Sequence, residues 1–202
     1  YFIPYIHSYC HIWLPRMEEK LKQRTSSCKK VVLFGPESTG KTTLAKQLAR
    51  HYNTLWVPEF SRVYAEEKLL NNKELTRNDV LPIAIGQMKL ENSYSERATN
   101  IVFCDTNLLE TKVYSEMIYD GFCPIEVNDY AMSNTYDLYI LTATDMPWER
   151  DPVRGAIDER ELMFIEFKNT LDNLKLPYII VSGNKERRFA TAIKYVDALL
   201  SR

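Results

Sequence analysis

The sequence predicts a three-layer α/β sandwich around a five-stranded parallel sheet. Three observations predict it: short apolar, β-branched runs alternate with helical stretches, a glycine-rich loop stands between the first run and the first helix, and turn-rich segments close the other runs. Lys30–Phe34 is the first strand, ended by Gly35. From Thr42 to Tyr52, apolar residues at Leu44, Ala45, Leu48, Ala49 and Tyr52 mark one helical face. Leu55–Val57 is a second strand, cut off by Pro58, and residues 61–70 follow as a helix. Residues 78–97 read as a longer helix capped by Asn78, with Pro82 tolerable only near its start. Ile101–Cys104 is the third strand, followed by a helix over 107–118, and Tyr136–Leu141 is the fourth. Phe164, Phe167, Leu171 and Leu174 give residues 158–173 a helical spacing. Tyr178–Val181 completes the sheet, and Phe189, Ile193, Val196 and Leu200 line the last helix.

Composition bounds the function. The 202 residues are 45% hydrophobic and 26% charged, with a net charge of −1. That is a globular composition without a strong field, which argues against nucleic acid or an acidic membrane as partner. Only His7, His11 and His51 are available, so a general base in the body of the chain should be a carboxylate. Cys10, Cys28, Cys104 and Cys123 form no CxxC pair, which argues against zinc and suits a reducing cytoplasm. The domains expected are an N-terminal extension or linker stub over 1–28 and a nucleotide-binding domain over 29–202. Within the extension, the aromatic segment 1–16 precedes a polar stretch starting at Met17. It reads equally as an added upstream piece or as the stub of a linker, and should be dispensable.

The strongest motif is Gly35-Pro-Glu-Ser-Thr-Gly40-Lys41-Thr42, which fits G-x-x-x-x-G-K-[ST] between a strand and a helix. Gly35 and Gly40 allow a tight turn whose N–H groups converge on a phosphate. The helix dipole acts on the same concavity. Glu37, Ser38, Thr39 and Thr43 are expected around the nucleotide, Lys41 on its β- and γ-phosphates, and Thr42 on Mg²⁺.

Ligands of open α/β sheets bind outside the carboxyl ends of the strands. Glu59, with Arg62 one helical turn on, follows strand two, and Asp105 follows strand three as a Mg²⁺-assisting carboxylate. After strand four comes Asp145-Met-Pro-Trp-Glu-Arg150-Asp-Pro-Val-Arg154-Gly155, continuing to Arg160. This segment reads as a closing lid that delivers guanidinium groups to a phosphoryl-transfer transition state.

Together, GPESTGKTTLA, PEFSR at 58–62, FCDTN at 103–107, WERDPVR and PYIIVSG resemble the ribosylnicotinamide kinase domain of the bacterial NadR family, over roughly residues 29–200. The resemblance implies a P-loop kinase with an arginine-bearing lid. It implies transfer of the ATP γ-phosphate to the 5′-hydroxyl of nicotinamide riboside, giving nicotinamide mononucleotide. Lys41, Thr42, Asp105, Glu59 and Arg62 match its motif positions, and Arg154 and Arg160 match lid arginines less securely because lid length varies. Tyr119 falls at its stacking aromatic. Residues 1–28 are too few for the family's adenylyltransferase fold, so adenylylation and repression are not carried over.

Lys41, Glu59, Asp105 and Arg154 are therefore the expected catalytic residues. Asp105 is favoured for the Mg²⁺ shell and Glu59 for the acceptor, the division remaining open. Trp56, Tyr64, Tyr114, Tyr119 and Trp148 are candidates to stack on a cationic ring, and Gln87 to recognise an amide. Ser182, Asn184 and Arg150 are placed with the nucleotide, the first two by analogy of fold. ATP and Mg²⁺ are the expected cofactors, the partner a small molecule, and a homo-oligomer is compatible with the sequence. The alternatives are another nucleoside or nucleotide kinase, or a regulatory ATP-binding protein.

Overall fold

The computed structural model describes residues 19–147 and 160–201. Five parallel strands, β1 (Lys29–Phe34), β2 (Leu55–Val57), β3 (Ile101–Asp105), β4 (Leu138–Thr142) and β5 (Tyr178–Val181), form one sheet in the order β2-β3-β1-β4-β5. The helices are α1 (Lys41–His51), α2 (Phe60–Leu70), α3 (Val80–Arg97), α4 (Leu108–Ile118), α5 (Ile125–Ser133), α6 (Arg160–Asn173) and α7 (Lys185–Leu200). The expected fold class holds. Because β1 lies between β3 and β4, the chain winds outward from it in both directions. The loop after β1 therefore sits at a topological switch point, where open sheets bind ligands.

The three central strands, β1, β3 and β4, are buried on both faces, and alternate residues feed two cores. Val32, Phe34, Val102, Cys104 and Tyr139 pack with Met88, Leu109 and Phe167 on one side. Val31, Leu33, Phe103, Ile140 and Val181 pack with Leu44, Leu48 and Val196 on the other. Edge-on contacts of Phe34 with Tyr139 and Phe167, at centroid separations of 5.4 and 4.8 Å, fill the first core.

Some boundaries differ from expectation. β4 starts at Leu138, two residues late, and the hydroxyl of Tyr136 donates to Glu91 Oε2 at 2.8 Å. Residues 77–79 form a 3₁₀ turn capped by Thr76 rather than the first turn of a helix capped by Asn78. Helix α5 has no counterpart in the sequence reading, and its apolar face is short: Val127 and Ala131 alone are buried. The extension also takes part in the fold: Leu21 is fully buried, Asn92 of α3 accepts from the Arg24 N–H at 2.8 Å, and it donates to the Lys22 carbonyl at 2.9 Å. Helices α2 and α3 meet at Gly86, where an added Cβ would lie 2.1 Å from the Phe60 ring. Only the missing side chain allows that approach.

Candidate active site

The phosphate loop closes over β1 by local chemistry. Gly35 has φ 132°, and a side chain there would meet Thr142 Oγ1 at 2.9 Å. Gly40, at φ 83°, turns the chain into α1. Thr39 Oγ1 donates to the Pro36 carbonyl at 2.7 Å and lies 2.6 Å from Thr142 Oγ1, fixing the loop to the end of β4. Lys41, the first residue of α1, is buried; its Nζ donates to the carbonyls of Gly35 (2.5 Å) and Pro36 (2.9 Å) and lies 3.2 Å from Glu110 Oε1. Beside it, Thr42 Oγ1 donates to Asp105 Oδ2 at 2.6 Å.

Two cavities flank this lysine. One, of about 310 Å³, is polar and lined by the loop residues Ser38–Thr43 with Gln47, Met146, Pro147, Lys185 and Arg188. The other, about 150 Å³, is mainly apolar: Ala65, Leu75, Val80, Ile83, Tyr114, Ile118 and Tyr119 surround a polar end made of Glu37, Glu110, Thr106 and Thr111. Lys41, Glu59 and Arg62 line both. A pocket rich in backbone donors therefore meets an aromatic-walled pocket at one lysine, one carboxylate and one guanidinium.

The electrostatics of the second cavity come from residues that were not singled out from sequence. Glu110 stands in the first turn of α4, where its N–H bonds to the capping Asn107 Oδ1 at 3.1 Å. Burial pushes its carboxyl up to about 8, against the pull of the Lys41 ammonium; Glu59 and Asp105 add repulsion. Its Oε2 is buried without a hydrogen-bond partner. At the far end lies Asp79. Burial opposes its ionisation, yet bonds from Lys68 Nζ (2.7 Å), Thr76 N (2.8 Å) and Tyr64 Oη (2.8 Å) outweigh it and hold the carboxyl below the usual range. Burial first, and Asp79 second, raise the Tyr119 phenol. This end of the cavity thus carries an ionised carboxylate paired with the Lys68 ammonium.

On the polar side Arg188 of α7 is the hub. It is buried and donates to the carbonyls of Thr39 (2.7 Å), Gly183 (2.8 Å) and Ala143 (3.0 Å) and to Asp145. The Gly183 N–H donates to Asp145 Oδ2 at 2.6 Å. Partial desolvation opposes the ionisation of Asp145, but these two donors outweigh it and acidify the carboxyl. Arg160 donates to the carbonyls of Ser38, Thr144 and Met146 at 3.3–3.4 Å, and so braces the loop.

The structure brings Lys41, Thr42, Glu59, Arg62, Asp105 and Tyr119 together around these cavities, with Tyr114 in the wall. Glu37 faces the apolar cavity. Gln87 is set apart: its Oε1 accepts from the Phe60 N–H at 2.8 Å and its Nε2 reaches the Pro58 carbonyl at 3.4 Å. It orders the turn that presents Glu59, and it does not line the cavity. Trp56 lies under Lys46, and Tyr64 is bound to Asp79; neither is in the wall. Asn184 caps α7 by accepting from the Arg187 N–H at 2.9 Å, and neither it nor Ser182 is in the polar pocket wall. Trp148, Arg150 and Arg154 lie outside the described residues.

Residues 30–188 match the model of an AAA domain. The chain belongs to that AAA domain family. This AAA domain is 29% identical over 139 residues to the trifunctional NAD biosynthesis/regulator protein NadR of Escherichia coli K12, a match taking in 65% of the chain and 33% of NadR. The chain is thus homologous to NadR, as the motifs implied, and spans about a third of that relative's length. A solved NadR protein in complex with NR superimposes with a TM-score of 0.68 at 22% identity, covering 87% of this chain and 50% of that one. A thymidylate kinase from Ehrlichia chaffeensis gives 0.59 at 15% identity, covering 84% and 99%. These likenesses place the AAA domain in the P-loop kinase fold.

Proposed function

We propose that this chain is an ATP-dependent kinase that phosphorylates the 5′-hydroxyl of nicotinamide riboside to nicotinamide mononucleotide, a step of NAD salvage in the cytoplasm. The observation that carries this reading is the meeting of two cavities at Lys41, Glu59 and Arg62. Phosphoryl transfer needs a donor and an acceptor in line across one cationic point and one carboxylate. NadR proteins have been solved with NR and with NAD and AMP-PNP, which supports the choice of both ligands. Among the described residues no helix is long and apolar enough to cross a membrane.

In this reading the polar pocket takes the ATP phosphates and Lys41 serves their β- and γ-oxygens. Thr42 Oγ1 and the Asp105 carboxylate, 2.6 Å apart at the loop, are hard oxygen donors that fit Mg²⁺ and would hold it. When bound, that ion neutralises phosphate charge. Glu59, on the shared wall and bonded by the Ser61 hydroxyl at 2.7 Å, orients the acceptor hydroxyl. Glu59 takes the proton as the new O–P bond forms and ADP departs. The pyridinium ring lies in the aromatic cavity beside Tyr114 and Tyr119, whose ring faces suit its positive charge.

The test is ATP consumption with nicotinamide riboside, uridine, thymidine and thymidylate, against ATP alone. Clear preference for nicotinamide riboside is expected, and Tyr119→Ala should reduce that preference by roughly two- to thirtyfold. Equal or better use of uridine, thymidine or thymidylate would assign the chain to another nucleoside or nucleotide kinase. Consumption independent of any acceptor would favour a regulatory ATPase.

A further inference from the structure

An ammonium group has three N–H donors. In this structure all three of those on Lys41 have a partner: the Gly35 carbonyl, the Pro36 carbonyl and Glu110 Oε1. A phosphate oxygen reaching Lys41 must displace one of them. The two carbonyls belong to the loop that carries the lysine and come with it. Glu110 comes from a different layer, α4, and is the longest contact at 3.2 Å. Its side chain is 3% exposed and its helix is capped by Asn107, so Glu110 cannot follow a lysine that moves toward the donor pocket. The charged groups facing it are Lys41 from the loop end, Glu59 from the end of β2 and Asp105 from the end of β3. One ammonium and two further carboxylates thus act on Glu110.

We infer that Glu110 is a positioning residue for Lys41: once ionised, its carboxylate holds the ammonium retracted between the two cavities and competes with the terminal phosphates of the nucleotide. The inference rests on the donor-site reading alone, and holds whatever the acceptor is. Nucleotide binding then exchanges one anionic partner of Lys41 for another. The competition lowers affinity for a triphosphate, leaves a monophosphate untouched, and releases a buried carboxyl on the acceptor side each time the donor binds. A Glu110 that served packing alone would not distinguish triphosphate from monophosphate.

The experiment compares the full chain with Glu110→Gln, which keeps shape and removes charge, by calorimetric binding of AMP-PNP and of AMP with Mg²⁺, above the pH at which Glu110 ionises. Glu110→Gln should bind AMP-PNP roughly three- to tenfold more tightly, the scale of one lost charge-assisted contact partly replaced by the Gln carbonyl. AMP affinity should be unchanged. In a Lys41→Ala background the same substitution should add nothing, because its effect runs through the lysine. Equal or weaker AMP-PNP binding by Glu110→Gln overturns the inference. So does a gain that persists without Lys41, which would mean direct repulsion of the phosphates. A wild-type chain that binds no AMP-PNP overturns the donor-site reading itself. Melting of each variant separates a folding defect, which would weaken AMP equally, from the selective gain expected.

Discussion

Gly86→Ala offers a sharp test of how α3 supports the site, because two effects of opposite sign meet at one methyl group. Gly86 is in the interior of α3, where alanine normally stabilises a helix by about 1 kcal/mol. Here the new Cβ would lie 2.1–2.4 Å from three atoms of the Phe60 ring. The ring must retreat by more than an ångström to regain ordinary contact. Overpacking of that kind costs about 1–3 kcal/mol, so the net change is a destabilisation of about 0–2 kcal/mol. Phe60 opens α2, directly after Glu59, and its N–H is bound by Gln87 of α3. The displacement therefore reaches the carboxylate on the wall shared by both cavities. The expected outcome is a melting temperature within a few degrees of the wild type, but a turnover lowered by roughly tenfold or more, since small misplacements of positioned groups weigh heavily on rate. Thermal melts and a coupled ADP-release assay measure the two quantities. A variant that is more stable and fully active would refute the tight α2–α3 contact and its link to Glu59.

Two further outcomes follow from the charged groups. Glu110 binds its proton more tightly when folded, so wild-type stability should fall as pH rises from its ordinary 4.5 toward about 8, and Glu110→Gln should flatten that component in melts across pH. Arg188→Ala removes the donors to Thr39, Gly183, Ala143 and Asp145 and should cost about 2–4 kcal/mol, raising the KM for ATP; Arg188→Lys should not restore it, since a point charge cannot span those acceptors.

What was legible in the sequence was local. The phosphate loop is a contiguous string whose geometry follows from its glycines, and Asp105 ends an apolar run, so both were readable. Glu110 was not, because its meaning lies in the approach of α4 to the loop, residues far apart in the chain. In the sequence a glutamate three places after Asn107 reads as a helix-capping acid, but only its backbone N–H joins the cap, donating to Asn107 Oδ1. Asp79 did leave a signal: Thr76 followed by an acid three residues later is the pattern of a reciprocal cap. It was obscured by Asn78, a residue of equal capping propensity. Gln87 read as a polar residue on a helix near a pocket, and only the fold reveals that the Phe60 N–H and the Pro58 carbonyl claim its amide.

The order of the strands has a consequence for how specificity can change. Apart from Glu37 and Lys41, the wall of the aromatic cavity comes from the unbroken stretch Glu59–Tyr119. Apart from Glu59 and Arg62, the polar pocket is drawn from the loop with α1 and from residues after β4. The acceptor half is therefore one cassette inserted between two parts of the donor half. A recombination event, or an engineer, could exchange the cassette at Pro58 and Asp120 and leave the donor-side hydrogen bonds of Arg188 intact. Chimeras cut at those points would inherit the phosphate loop and Arg188 from one parent, and the acceptor wall together with Asp105 from the other.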